Sequence, residues 1–148
     1  MKIDLTKKPQ NVRIIEGFPG IGLVGTIATE FLIRHLKAEQ IGALRGHGVP
    51  PMVAIHDNRI VSPMGVFYAP KQNIVILHFI SGSIGNEWHI SDIIKNFVKK
   101  YKAKEVISLE SIAVPGGLMS KSNSYFYANR ESAKKKLKKD GLEELRME

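Results

Sequence analysis

The stretch VRIIEGFPGIGLVGTIATEF, Val12 to Phe31, constrains the fold of this chain more than any other. Val12 to Glu16 is a short apolar run of strand type, and Gly17-Phe18-Pro19-Gly20 breaks it with turn-forming residues. From Leu23 the period changes, and Leu23, Val24, Ile27, Ala28, Phe31, Leu32 and Leu36 recur at helical spacing, which predicts a helix with one apolar face. A second short strand, Glu39 to Leu44, follows after a minimal connection. Strand, helix and strand in this order predict a right-handed crossover whose two strands are parallel neighbours or near neighbours.

The middle of the chain reads differently. Met52 to His56, the polar Asp57-Asn58-Arg59, and Ile60 to Ser62 predict a hairpin that continues through Met64 to Tyr68 beyond Pro63. Pro63 argues for an edge strand or a bulge, because proline cannot donate to a ladder. Ile74 to Phe79 is almost uninterrupted apolar sequence, as expected of a strand in the middle of the sheet. After Ser81-Gly82-Ser83-Ile84-Gly85, a stripe of Ile90, Ile93, Ile94, Phe97, Val98 and Tyr101 predicts a helix beginning near Asn86, with Ser83 or Asn86 as its cap. Glu105 to Leu109 completes a second strand–helix–strand unit, and the loop around Pro115-Gly116-Gly117 follows. Within Ser120 to Asn129, SYFYA suggests a short strand, and a last helix capped by Asn129 or Ser132 runs to about Lys139 and ends at Gly141. These elements predict one α/β domain over residues 1–148, a three-layer α/β/α sandwich on a mostly parallel sheet, with 130–148 as a basic helix or tail.

Several function classes fall away on composition. The chain has no cysteine, so thiolate metal sites, disulfides and a cysteine nucleophile are excluded. The N-terminal MKIDLTKKPQNVR lacks the apolar core of a signal peptide, and no apolar run is of bilayer-spanning length, so a cytoplasmic protein without a membrane partner is expected. A formal charge of +8 points to an acidic partner, protein or nucleic acid. Residues 99–148 carry 12 basic and 7 acidic side chains, with Lys134, Lys135, Lys136, Lys138 and Lys139 in one run. Such a run is most simply a solvated helix face; it is also the candidate surface for steering a partner. Aromatic residues do not alternate with these lysines, which makes nucleic acid the less expected partner.

Three further constellations bear on chemistry. Gly20-Ile21-Gly22-Leu23-Val24-Gly25 fits G-x-G-x-x-G, in which glycines let a pyrophosphate approach a helix N-terminus. An acidic residue is required about twenty residues on, and Leu44-Arg45-Gly46-His47 stands there instead. Gly20, Gly22 and Gly25 are therefore read first as a tight turn with close helix packing, and as a cofactor site only in the alternative of a nucleotide-binding enzyme. Ser83 sits in a near miss of the nucleophile elbow, since Ser81 replaces the first glycine, and Glu87 and His89 follow it. Of five histidines none forms a metal-ligand pair; His35 and His78 lie in apolar segments and read as core histidines. Glu110, beside Ser111 at a strand's carboxyl end, stands where open α/β sheets place ligands.

The ordered segments NVRIIEGFPGIGLVGTIATEFLI, QIGALRGHGVPPMVAIHDNRIVSPM, VILHF and AKEVISLESIAVPGG together resemble the proteasome assembly chaperone two family, particularly its archaeal members, from about Asn11 to Asn129. The resemblance implies a nucleoside-phosphorylase-like sandwich used as an assembly surface, with no catalytic residues and no cofactor. It implies as partners the chain itself, a paralogous family member, or proteasome α subunits. Family chains continue beyond the region matching Lys134 to Glu148, so a short or truncated member is expected, with Val106, Ile107 and Leu109 left in need of cover. Some members that dock on the proteasome end in a hydrophobic-Tyr-any tail; Leu145-Arg146-Met147-Glu148 lacks the tyrosine, which counts against docking through that end.

Overall fold

The computed structural model describes residues 2–49, 51–56, 58–82, 85–113 and 124–145. Two compact units divide the chain, residues 1–113 and 114–148. The first is built on a six-stranded sheet of β1 (Lys2–Leu5), β2 (Arg13–Gly17), β3 (Glu39–Arg45), β6 (Met64–Ala69), β7 (Ile74–Phe79) and β8 (Glu105–Ser108), in the order β1-β3-β6-β7-β2-β8. A separate antiparallel ribbon pairs β4 (Ala54–His56) with β5 (Arg59–Val61).

The sheet is mixed, not mostly parallel. β2 is parallel to β7 and to β8, while β1/β3, β3/β6 and β6/β7 are antiparallel. The reason is loop length: only residues 70–73 separate β6 from β7, and so short a connection can join antiparallel strands alone. Asn73 closes this turn at a φ of 54°, with its amide donating to Pro70 O and its side-chain oxygen accepting from the Tyr68 hydroxyl. Following the pairings from β3 through β6 and β7 to β2 shows that β3 runs parallel to β2, as the first crossover requires, but with two strands between them. Pro63 does not mark an edge. It immediately precedes β6, an interior strand, and its carbonyl accepts from the Ile80 amide at 2.9 Å.

β7 is the central strand expected of its sequence, with Val75, Ile76, Leu77, His78 and Phe79 all buried. Helix α2 (Glu87–Lys100) lays Ile90 and Phe97 into a core with Val12, Ile14, Leu44, Met64, Val66, Val75, Leu77 and Phe79. Helix α1 (Val24–His35) covers the opposite face, where Thr29 reaches His78; alternate residues of β7 thus serve the two helices. α1 forms where its periodicity predicts, but turned over. Its buried residues are the small Gly25 and Thr29, whereas Val24, Ile27 and Phe31 are 46%, 63% and 63% exposed. His35 is likewise exposed, stacked on the Phe31 ring, and is not a core histidine; His78, at 2% exposure, is.

The second unit contains a parallel pair, β9 (Tyr125–Phe126) and β10 (Glu143–Glu144), and helix α3 (Glu131–Lys139). Arg130 occupies the N-cap of α3 without a side-chain capping bond, so neither Asn129 nor Ser132 caps it. Its C-terminus closes as the sequence predicts: Gly141, at φ 86°, donates to Lys138 O, and Leu142 donates to Leu137 O. Among the described residues no helix is long and apolar enough to cross a membrane.

Candidate functional site

Because β2, β3, β7 and β8 run the same way, the segments that follow them emerge at one end of the sheet. The glycine turn, the β4–β5 ribbon, the start of α2 and Glu110 all belong to this end.

At the turn, residues 21–23 form one 3-10 turn, and α1 begins after Leu23 in a left-handed conformation at φ 55°. Gly22, at φ 66°, meets the conformational demand, with open space beside it. Gly17 and Gly25 meet a packing demand. A Cβ on Gly17 would stand 2.1 Å from Gly25 O, and one on Gly25 2.4 Å from Leu109 O. Beside Gly20 lies a carboxylate: a Cβ there would be 2.9 Å from Glu110 Oε2. The Ser111 hydroxyl donates to Ile21 O, fixing the turn to the segment after β8. Close helix-to-strand approach is what these glycines provide.

A cavity of about 520 Å³ opens between this turn and α2, lined by Glu16, Phe18, Pro19, Gly82, Glu87, Ile90, Ser91, Ile94, Lys95 and Val106. Glu16, half-buried near the end of β2, is paired across to Ser108 and Leu77. Its Oε2 is buried with no hydrogen-bond partner among the described residues. Burial pushes the Glu16 carboxyl above its ordinary pKa; a hydrogen bond with Ser108 opposes the rise and the Glu110 carboxylate adds to it. Glu87 has the opposite tendency: its own amide and that of Gly85 donate to it and hold its pKa below the ordinary value. These contacts serve the helix start, since Asn86 makes no side-chain cap bond. Ser83 lies outside the described residues, as does the Pro115-Gly116-Gly117 loop. Sequence reasoning passed over Glu16; the available signal was a carboxylate closing a strand immediately before Gly-Phe-Pro.

The same end is rich in exposed apolar side chains. In the first unit thirteen large apolar residues are exposed among those described. Nine of them, Ile21, Leu23, Val24, Met52, Val53, Ile55, Ile60, Trp88 and Ile112, belong to the segments following β2, β3, β7 and β8. Trp88 reaches 82% exposure and Ile55 76%. Of the three residues expected to lack cover, Val106 and Ile107 on the edge strand β8 are each 41% exposed, whereas Leu109 is half-buried. Among the described residues no cluster of three or more His, Asp or Glu is placed to hold a metal ion.

The lysine run resolves into two groups. Lys134 pairs with Glu131 and Glu144 at 3.3 Å each, and Lys138 with Glu144 at 2.5 Å. These contacts raise the Lys134 pKa, Glu131 foremost, and lower that of Glu144, Lys138 foremost. Lys135, Lys136 and Lys139 are exposed and point their charge to solvent.

The first unit is thus a mixed α/β domain with a tightly closed glycine turn and exposed apolar side chains on the segments at one end of its sheet. The PAC2 family model matches residues 14–148, and the chain belongs to that family. The uncharacterised protein MJ1210 of Methanocaldococcus jannaschii is 33% identical over 138 residues, covering 90% of this chain and 53% of its own. Pyrococcus furiosus PbaA, an archaeal homologue of proteasome-assembly chaperone, superposes with a TM-score of 0.88 at 29% identity over 100% of this chain and 62% of its own. P. furiosus PbaB, an archaeal proteasome activator, shares the fold at a TM-score of 0.78 and 22% identity, over 99% of this chain and 67% of its own. The chain thus spans about half the length of the curated relatives it matches.

Proposed function

We propose that this chain is a non-enzymatic, chaperone-like assembly protein that acts through contacts with copies of itself or a paralogue, and that proteasome α subunits are its clients in the cytoplasm. The observation that carries the reading is the apolar rim. Nine large apolar side chains, each 46–82% exposed, sit on the segments at this end of the sheet, and a stable interface buries roughly 800 Å² on each partner. Membership of the PAC2 family and the likeness to PbaA supply the direction of the client. Lys135, Lys136 and Lys139 would steer an acidic surface toward the complex.

The nucleotide-binding alternative fares worse on electrostatics, since a pyrophosphate beside Gly20 would face the Glu110 carboxylate. Native mass spectrometry at low micromolar concentration, alone and with purified archaeal proteasome α subunits, tests the reading. A closed oligomer or a complex with α subunits supports it; a monomer that ignores α subunits sinks it.

A further inference from the structure

The apolar surface continues beyond the rim along α1. Ile21 and Val24 belong to the rim, and Ile27 and Phe31 extend it over the outward face of the helix. Their three- and four-residue spacing makes them one stripe. Ala28, half-buried, lies in the middle of it. A small residue at that point lets a second helix come within the close end of ordinary helix packing, with large side chains interlocking on either side.

Charge divides between the two ends of the stripe. Arg34 and Lys37 are exposed at its C-terminal end. At its N-terminal end Glu110 stands beside Gly20, exposed and without an ion pair among the described residues. A second copy of α1 running the same way would set like charges together. Running the opposite way, it sets the basic end of each copy against the acidic end of the other, and charge of this kind fixes register.

We propose that α1 packs antiparallel on α1 of a second copy, about a two-fold axis near Ile27 and Ala28. Phe31 of each copy then lies against Val24 of the other, and Arg34 against Ile21 and the neighbouring Glu110, because these pairs are equally distant from the axis along the chain. Arg34 already holds Glu30 Oε1 through Nε, and its guanidinium has further N–H groups for a second carboxylate. Such a contact is isologous and closes as a dimer. It rests on the self-association proposed above and gives that association a surface and a symmetry.

The chain has no cysteine, so single cysteines report the contact without background. A disulfide needs its two Cα atoms within about 7 Å. Residues seven apart stand about 10 Å apart along a helix, so Val24 should not reach Val24 of the other copy. With diamide as oxidant, Ile27→Cys should form a covalent dimer at least tenfold faster than Lys71→Cys, in the exposed turn between β6 and β7. Val24→Cys and Phe31→Cys should each cross-link slowly alone and at least tenfold faster when mixed. All four positions are exposed, so folding is not at stake. Ile27→Cys no faster than Lys71→Cys, or Val24→Cys and Phe31→Cys as fast alone as together, overturns the proposal. If that happens while native mass spectrometry still shows an oligomer, the assembly reading stands on the rim without this contact; a monomeric mass removes both.

Discussion

The hydroxyl of Thr29 on α1 lies 2.9 Å from Nδ1 of His78 on β7, a buried contact between residues 49 positions apart. Thr29 also donates to Gly25 O at 2.8 Å, and Nε2 of His78 is 3.4 Å from Glu30 Oε2. One side chain therefore anchors the first turn of α1 and satisfies the ring of an otherwise buried histidine. Because the apolar residues Val24, Ile27 and Phe31 face away from the sheet, this polar contact and the close glycine approach hold the helix in place.

Thr29→Val keeps the shape and removes the hydroxyl, so the His78 ring loses a partner in a site that excludes water. Loss of about 1–3 kcal/mol is expected. Thr29→Ser, which keeps the hydroxyl, should cost less, and urea denaturation of the two variants side by side measures the difference.

Two glycines of the fingerprint should respond unequally to alanine. Gly22→Ala meets open space and pays only for a left-handed backbone, about 1–2 kcal/mol. Gly25→Ala drives a methyl toward the Leu109 carbonyl, where backbone must move, at a cost of about 3 kcal/mol or more. Thermal unfolding that ranked Gly22→Ala as the more damaging would contradict the packing role given to Gly25.

Glu16 makes stability depend on pH in a definite sense. Its folded pKa is raised by burial above the 4.5 of the free group, so the native state holds the proton more tightly than the unfolded chain. Stability from this group is fully present below that value and is lost as pH rises through the higher folded pKa. Glu16→Gln, which cannot ionise, should therefore gain on the natural protein as pH climbs from 4 to 8, and the two should converge in acid. Melting temperatures across that range that stay parallel would remove Glu16 as the cause.

Exposed rim residues should matter to association and not to folding. Ile55→Glu with Trp88→Glu changes two side chains that are 76% and 82% exposed, so unfolding free energy should move by less than about 0.5 kcal/mol. Oligomer mass in native spectrometry should fall. An unchanged oligomer, with disruption instead by Ile27→Glu and Phe31→Glu, would move the interface from the rim to the α1 face and remove the rim as the observation that carries the assembly reading.

On α3, replacing Lys135, Lys136 and Lys139 together by alanine should weaken binding to an acidic partner and flatten its salt dependence, because these charges face solvent. Replacing Lys134 and Lys138 instead breaks contacts to Glu144 within the unit. Association measured between 50 and 300 mM salt separates the two sets, and equal effects from both would deny the first set its steering role.

Element by element, the sequence alone determined where strands and helices lie: β2, β3, β7, α1, α2 and β8 fall on segments whose apolar pattern marks them, and α3 ends at the glycine that marks its stop. Local chemistry suffices for this, since strand alternation, helical spacing and glycine stops act within a few residues. β1 escaped because Lys2-Ile3-Asp4-Leu5 is too short and polar to signal a strand and forms one only by pairing with β3. Sheet order was beyond local reading, although the four-residue link between β6 and β7 already demanded a hairpin. Tertiary structure alone decided which face of α1 is buried. An apolar stripe says that a face seeks cover but not which surface covers it, and here the residues of α1 that are fully buried are the small Gly25 and Thr29. It alone also decided that Glu16, unremarkable on one strand, shares a cavity with Phe18, Glu87 and Ile94, because residues up to 78 positions apart meet only when β2 is set between β7 and β8.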